Sequence, residues 1–202
     1  MRSYDDRAPL VPNFLHPVTG QHPRGGVNGY RDGAGGIRAA EHFAALKLVR
    51  EDLTGVWLVD ADGKARGVAP TPRPEPGRLN RLAWSRYETE SYLVHPAALA
   101  RFLEHKTGEP AQGAVRRFFV ERFGEELTST FYAEPFAPPA LVENFLRTTK
   151  ARTIILGALF EESGLFGLDY TSFEEVAMRM APEEIHPEVR EKLDFIQQAF
   201  GL

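Results

Sequence analysis

The segment GVWLVDADGK, residues 55–64, contains an uninterrupted apolar run that ends in a pair of aspartates. Gly55 and Asp60 bound the run, and its members are β-branched, aromatic or aliphatic. A short run of this kind is typical of a strand buried on both faces of a parallel sheet. We therefore predict an α/β fold with a small, mostly parallel, Rossmann-like sheet.

The two aspartates come where this strand is expected to end. In open α/β sheets the carboxyl ends of the strands form the crevice that binds ligands. Asp60 and Asp62 offer the oxygen ligands that hard divalent cations prefer, and Mg²⁺ usually takes one or two protein carboxylates. The same two residues followed by Gly63 are also typical of a turn. A metal site and a turn both remain open on these residues alone.

The neighbouring residues predict the other elements around the strand. Apolar residues recur at helical spacing from Ile37 to Leu48, which predicts an amphipathic helix over 37–53. The proline-rich segment 71–77 predicts a loop, which we expect on the ligand-facing rim. Imperfect alternation over 78–86 predicts a second, shorter strand.

From residue 96 onward the sequence predicts mainly helices. Pro96 is at a typical first helical position and Gly108 at a typical stop, and the same pattern recurs in the next segment. The longest periodic run covers 138–164. The last helix is expected to present one apolar stripe, made by Val189, Leu193, Ile196 and Phe200.

These patterns divide the chain into three parts. Residues 1–35 hold Pro, Gly, Asn and Asp without an apolar period, so we expect a poorly ordered lead-in. Residues 36–107 are expected to form the α/β core. Residues 108–202 are expected to form a C-terminal helical subdomain.

Composition excludes several classes of function. The chain has no cysteine among its 202 residues, which excludes disulfides, thiolate zinc sites and cysteine nucleophiles and agrees with a cytoplasmic location. No apolar run is long enough to span a membrane. The formal net charge is −4, so the fold as a whole has no electrostatic footprint for nucleic acid. The six histidines form no zinc-enzyme motif.

A second acidic segment, RYETESYL at 86–93, follows the second predicted strand. On an extended strand Glu88 and Glu90 would share one face, whereas on a helix or turn they would diverge. Tyr92 and Leu93 are expected to be core anchors that orient the two acids. A solvated, charged strand end remains the alternative interpretation of this segment.

Four arginines flank the acidic segments and are candidates for contact with a phosphate backbone. The alternative is that they are simply solvated on a loop. These residues are Arg73, Arg78, Arg81 and Arg86.

Together the two segments resemble a known family. VWLVDADGK followed by RYETESYLVHPAALARFL is similar to the toprim-type domain of overcoming-lysogenization-defect-like nucleases and related ATPase-associated proteins. That family has an apolar strand ending in Asp-x-Asp and, about 25 residues later, a Glu-x-Glu-Asn-Tyr-Leu-like segment, a proline and a helix. The resemblance covers residues 33–107 best. The matching positions are Asp60, Asp62, Glu88, Glu90, Tyr92 and Leu93, with Ser91 in place of the usual Asn.

The resemblance implies phosphodiester cleavage assisted by Mg²⁺ or Mn²⁺, in an anti-phage defence-like system. On this basis Asp60, Asp62 and Glu90 are the expected metal ligands. Glu88 and Glu90 are the expected catalytic residues, which complete the site or position a metal-bound water. The implied partners are a nucleic acid and an ATPase chain.

Parts of the family pattern have no match here. A complete toprim unit begins with a strand that carries a glutamate, and residues 1–35 supply none. The phosphate-binding loop of an ATPase and the family's late lysine are also missing. The resemblance therefore implies a domain truncated at its N-terminus, or one that works with another chain. The alternative function is a non-catalytic interaction domain that binds a partner ATPase.

Overall fold

The computed structural model of the chain describes residues 35–62, 72–133, 140–167 and 170–202. The predicted lead-in, except for its last residue, Gly35, lies outside these ranges, as do Gly63 and Lys64. Within the described ranges no helix is long and apolar enough to cross a bilayer.

The fold is α/β with a small parallel sheet. Helix α1, Gly35–Lys47, precedes strand β1, Gly55–Val59, which pairs in parallel with strand β2, Leu79–Ala83. The register runs from Gly55 opposite Leu79 to Val59 opposite Ala83. A Cβ at Gly55 would lie 2.9 Å from the Phe43 ring of α1, so any larger residue there would have to displace that ring. The predicted parallel sheet is therefore confirmed in its coarse form.

The prediction that β1 is buried on both faces is wrong. All five residues of β1 are only half-buried. In the described part of the chain the sheet has two strands, so the apolar run has a strand neighbour on only one edge.

Helices form the rest of the described chain, and most of the core lies among them. Phe102, Phe119 and Phe160 are fully buried there, together with several leucines, isoleucines and valines. The α-helices are α2 Pro96–Thr107, α3 Gln112–Phe123, α4 Glu125–Ala133, α5 Ala140–Thr148, α6 Ala158–Glu162, α7 Tyr170–Ala177 and α8 Pro187–Phe200. Two 3₁₀ helices, Thr89–Leu93 and Pro182–Glu184, and a π-helix, Ala151–Gly157, complete the elements.

Two predicted helices differ from their apolar periods: the first ends early, and the second is interrupted. Helix α1 ends at Lys47 instead of residue 53, and Leu48 is 88% exposed. The 138–164 run is broken at Lys150, whose backbone (φ −71°, ψ 90°) is not helical. Thr148 donates its hydroxyl to the Asn144 carbonyl, which is the local competition by which such residues weaken helix ends.

Helix α8 forms where predicted, but only part of its predicted apolar stripe is buried. His186 caps it by accepting the Glu188 N–H at Nδ1, 3.1 Å away. Two members of the predicted apolar stripe are well exposed, Leu193 at 50% and Phe200 at 41%. The buried residues of α8 are Glu188, Lys192 and Phe195. The predicted stripe is therefore wrong for Leu193 and Phe200, whereas Val189 and Ile196 are half-buried.

The proline-rich loop lies at the opposite end of the sheet from the acids. Its described part, 72–77, leads directly into the start of β2, and the Lys47 ammonium donates to the Gly77 carbonyl at 2.6 Å. Because β1 and β2 are parallel, the start of β2 is far along the strands from Asp60. The expectation that this loop lies on the ligand-facing rim is therefore wrong.

Candidate carboxylate site

The carboxylates of the two acidic segments meet at the carboxyl edge of the sheet. Asp60 directly follows β1, whereas Glu88 and Glu90 follow β2. Glu88 is extended (φ −147°, ψ 166°), and the chain then turns into the 3₁₀ helix Thr89–Leu93. Of the two conformations left open for this segment, the turn is therefore the one that forms after Glu88. Each glutamate is nevertheless close enough to Asp60 for the negative charge of Asp60 to raise the pKa of the glutamate.

Asp60 connects the end of β1 to this second acidic segment through hydrogen bonds. Its Oδ1 accepts hydrogen bonds from the Thr89 N–H and the Thr89 hydroxyl, each at 3.0 Å. Partial loss of water raises the pKa of the Asp60 carboxyl above its ordinary value. The bonds from Thr89 lower it, and the charge of Asp62 raises it further.

Glu88 and Glu90 both contact Arg152 at the start of the π-helix. The backbone N–H of Arg152 donates to Glu88 Oε1 at 2.6 Å, and the Arg152 guanidinium lies 3.9 Å from Glu90 Oε1. Desolvation nevertheless raises the pKa of both glutamates, and the charge of Asp60 adds to the rise in each. Arg152 opposes the rise but does not cancel it. Three like charges are thus held together in a partly dry environment.

Asp62 has the backbone of a turn. Its φ of 51° is in the left-handed region, and its N–H donates to the Tyr87 carbonyl at 3.0 Å. Its side chain is exposed, while Ala61 between the two aspartates is buried. The turn interpretation of Asp-x-Asp therefore holds for the backbone, and the charge of Asp62 still acts on Asp60.

No group of three or more His, Asp or Glu side chains within the described residues has the spacing of a metal centre. The expected ligands Asp60, Asp62 and Glu90 therefore do not converge as a closed set. Asp60 and Glu90 interact electrostatically, and Asp62 interacts with Asp60. The arrangement offers one or two carboxylates to a cation and leaves the other positions to water or a ligand oxygen.

The predicted arginines do not line this site. Arg78 pairs with Glu75 at the start of β2, and the Arg81 guanidinium lies 4.7 Å from the centre of the Trp57 ring. Arg86 is 5% exposed and engaged elsewhere. Arg73 is exposed in the loop before β2. Arg73, Arg78 and Arg81 are exposed, which agrees with the alternative interpretation that they are solvated.

The cations beside the acids come from a segment that sequence reasoning missed. Arg152 contacts both glutamates, and the exposed Lys150 lies 5.7 Å from the centre of the Tyr87 ring. The only available sequence signal was the pair of basic residues at a Thr-Thr interruption of the periodic run.

A buried ionic network neighbours the carboxylate site. Arg86 donates to Glu143 at 2.5 Å and to the Ser91 carbonyl at 2.9 Å. His186 Nε2 lies 3.5 Å from the same Glu143 carboxylate. Burial alone would raise the pKa of Glu143, but the bonds from His186 and Arg86 lower it to about 2. This network joins the second acidic segment to α5 and to the start of α8.

No protein-family model, no curated protein and no solved structure matches this chain.

Proposed function

We propose that the carboxylates at the sheet edge bind a divalent cation, Mg²⁺ or Mn²⁺. We further propose that the chain is a toprim-like component of a phosphodiester-cleaving nuclease in an ATPase-associated, anti-phage defence-like system. The observation that carries this proposal is the placement of Asp60, Glu88 and Glu90 at the ends of two parallel strands, where Asp60 Oδ1 accepts two hydrogen bonds from Thr89, the residue between the two glutamates. Three carboxylates placed in this way repel one another. A cation would relieve that repulsion, so the site has free energy to gain from binding one.

The residues present suit a cation that keeps part of its own hydration shell. Mg²⁺ typically binds to one or two protein carboxylates and takes water and phosphate oxygens for the rest. Asp60 and Glu90 would bind the cation, with Asp62 contributing through its charge or directly. Bound there, the cation would supply Lewis-acid activation of water and charge stabilisation at a phosphoryl group.

The neighbouring cations support a phosphate ester as the substrate class. Arg152 brings positive charge to Glu90, and Lys150 lies over the ring of Tyr87, the residue before Glu88. A phosphate backbone needs such groups close to the metal, because they neutralise charge that the metal alone leaves. Glu88 is held by the Arg152 N–H and is therefore fixed where it can orient a water molecule.

The proposal is tested first by calorimetric titration of Mn²⁺ into the wild type and into Asp60→Asn/Asp62→Asn. The matched control is Glu121→Gln/Glu126→Gln, which removes two exposed carboxylates from α3 and α4. We expect binding in the wild type and the control and none in the Asp60→Asn/Asp62→Asn protein. A nuclease assay with Mn²⁺ on single- and double-stranded DNA follows. Absence of Mn²⁺ binding to the wild type at millimolar concentration would remove the metal-dependent proposal.

The second candidate is a non-catalytic domain that binds a partner ATPase through its helical half. Leu141 and Ile154 favour it, because they are 43% and 47% exposed on segments that follow the acidic site. Co-elution of the chain with an ATPase encoded beside its gene, lost in Leu141→Glu/Ile154→Glu, would support this function. Retention of the complex in that variant would contradict the surface assignment.

A further inference from the structure

Helix α8 buries two charged side chains while leaving an apolar one exposed. Glu188 is 8% exposed and Lys192 6%, whereas Leu193 is 50% exposed. Burying a carboxylate costs free energy unless hydrogen bonds replace its water. The burial of Glu188 therefore indicates that specific contacts replace its water.

Those contacts are to the two ends of one loop. We call residues 85–92, which contain Glu88 and Glu90, the acidic loop. Glu188 Oε1 accepts the Ser85 N–H at 3.0 Å, and Oε2 accepts the Ser85 hydroxyl at 2.5 Å. The Tyr92 hydroxyl also donates to Oε2. A single carboxylate thus holds the first and the last residue of the acidic loop.

Other contacts close the loop around these ends. Arg86 donates to the Ser91 carbonyl across the loop at 2.9 Å, and its N–H lies 3.3 Å from the Tyr92 hydroxyl. Lys192 Nζ, 3.8 Å from Glu188 Oε1, supplies a buried countercharge. Between the anchored ends the carboxylates of Glu88 and Glu90 reach the sheet edge beside Asp60.

We propose that Glu188 is a positioning residue for the cation site: it fixes both ends of the acidic loop, so that α8 sets the placement of Glu88 and Glu90. This inference rests on the proposed function for its cation-binding part. Its mechanical part, that Glu188 immobilises the loop, concerns the metal-free protein and stands independently.

The experiment combines hydrogen exchange of the metal-free chain with Mn²⁺ titration. The main variant is Glu188→Ala. Tyr92→Phe is the conservative variant, because it keeps the ring that packs on Trp84 at 4.6 Å and removes only the hydroxyl. Val115→Ala, at a fully buried position in α3, is a control for lost stability alone. Asp194→Asn removes an exposed carboxylate from α8 itself.

We expect Glu188→Ala to speed amide exchange within 85–92 and to lower Mn²⁺ affinity by about 10-fold or more, since partners that orient metal ligands typically have effects of 10–100-fold. Tyr92→Phe is expected to have a smaller effect in the same direction. Val115→Ala should lower the melting temperature without changing Mn²⁺ affinity, measured well below its melting temperature. Asp194→Asn should change neither.

Unchanged exchange of the acidic loop in Glu188→Ala would overturn the inference whatever Mn²⁺ does. Faster exchange with unchanged Mn²⁺ affinity would overturn the link between loop and cation site. If the wild type binds no Mn²⁺, the proposed function and the cation-binding part of this inference both fall. The exchange comparison between Glu188→Ala and Val115→Ala then still decides whether Glu188 immobilises the loop.

Discussion

The carboxylates at the sheet edge and the Glu143 carboxylate in the neighbouring ionic network show opposite shifts of pKa. At the edge, loss of water and mutual repulsion raise the pKa of Asp60, Glu88 and Glu90. In the network, hydrogen bonds from Arg86 and His186 lower the pKa of Glu143 to about 2. All four carboxylates are partly buried, so their partners determine whether the pKa is raised or lowered. The carboxylate with cationic partners stabilises the fold, and the repelling ones are the groups to which we assign the proposed cation site.

The largest expected effect on stability comes from breaking the ion pair between Arg86 and Glu143. Arg86→Met leaves Glu143 half-buried with only His186 beside it and removes the bond to the Ser91 carbonyl. Because one partner of a buried ion pair is lost, we expect the free energy of unfolding to fall by about 3–5 kcal/mol. Urea unfolding at pH 7 measures this.

The control for Arg86 is Arg78→Met, which breaks an exposed pair with Glu75 whose side chains are 75% and 64% exposed. Its effect is expected to stay below about 1 kcal/mol. Equal losses in the two variants would show that burial does not distinguish the two ion pairs.

A smaller effect is expected from protonating Glu143. Because the folded-state pKa is lowered from 4.5 to about 2, the stabilisation from this group is present above pH 4.5 and is lost as pH falls towards 2. In Glu143→Gln this pH-dependent component should be absent, although the variant is less stable at pH 7. Urea midpoints of the wild type and the variant between pH 7 and pH 2 give the difference. Parallel curves for the two proteins would contradict the assignment.

The smallest expected effect on stability comes from removing the charge of Glu90, which Asp60 repels. The folded-state pKa of Glu90 is raised, so its contribution to stability is present below the unfolded pKa and lost as pH rises through the folded one. Glu90→Gln should therefore stabilise the metal-free protein at pH 7 by roughly 0.2–1 kcal/mol, since the site is partly exposed to solvent. The gain should vanish below pH 4.5.

Thermal unfolding without metal and with excess EDTA measures the Glu90 effect. Destabilisation by Glu90→Gln at pH 7 would mean that the contact with Arg152 outweighs the repulsion from Asp60. The comparison between the two carboxylate sets would then no longer hold.

Much of the local structure could be predicted from the sequence. The apolar run before Asp60 predicted a strand of a parallel sheet, and β1 is such a strand. Tyr92 was expected to be a core anchor and is 5% exposed. The run over 138–164 was predicted as a single helix, because periodicity does not register the break at Lys150. Hydrophobic spacing also included Leu193 and Phe200 in the buried face of α8, and both are exposed.

The candidate site was predictable only in part. Asp60, Glu88 and Glu90 were singled out by their positions after two predicted strands, and the parallel pairing of β1 with β2 brings them together. Arg152 was not foreseen, because it reaches the site from a helical segment 64 residues beyond Glu88. Whether these residues bind a cation stays a prediction.

The sequence by itself determined the elements whose signals are local. Pro96 starts α2 and Gly108 ends it, with φ of 75°, because the proline ring and the missing Cβ restrict or free the backbone without help from neighbours. The tertiary structure alone decided which charges are satisfied and which repel. Glu188 is buried because it meets Ser85 across 103 residues, and contacts at that separation leave no periodic trace in the chain.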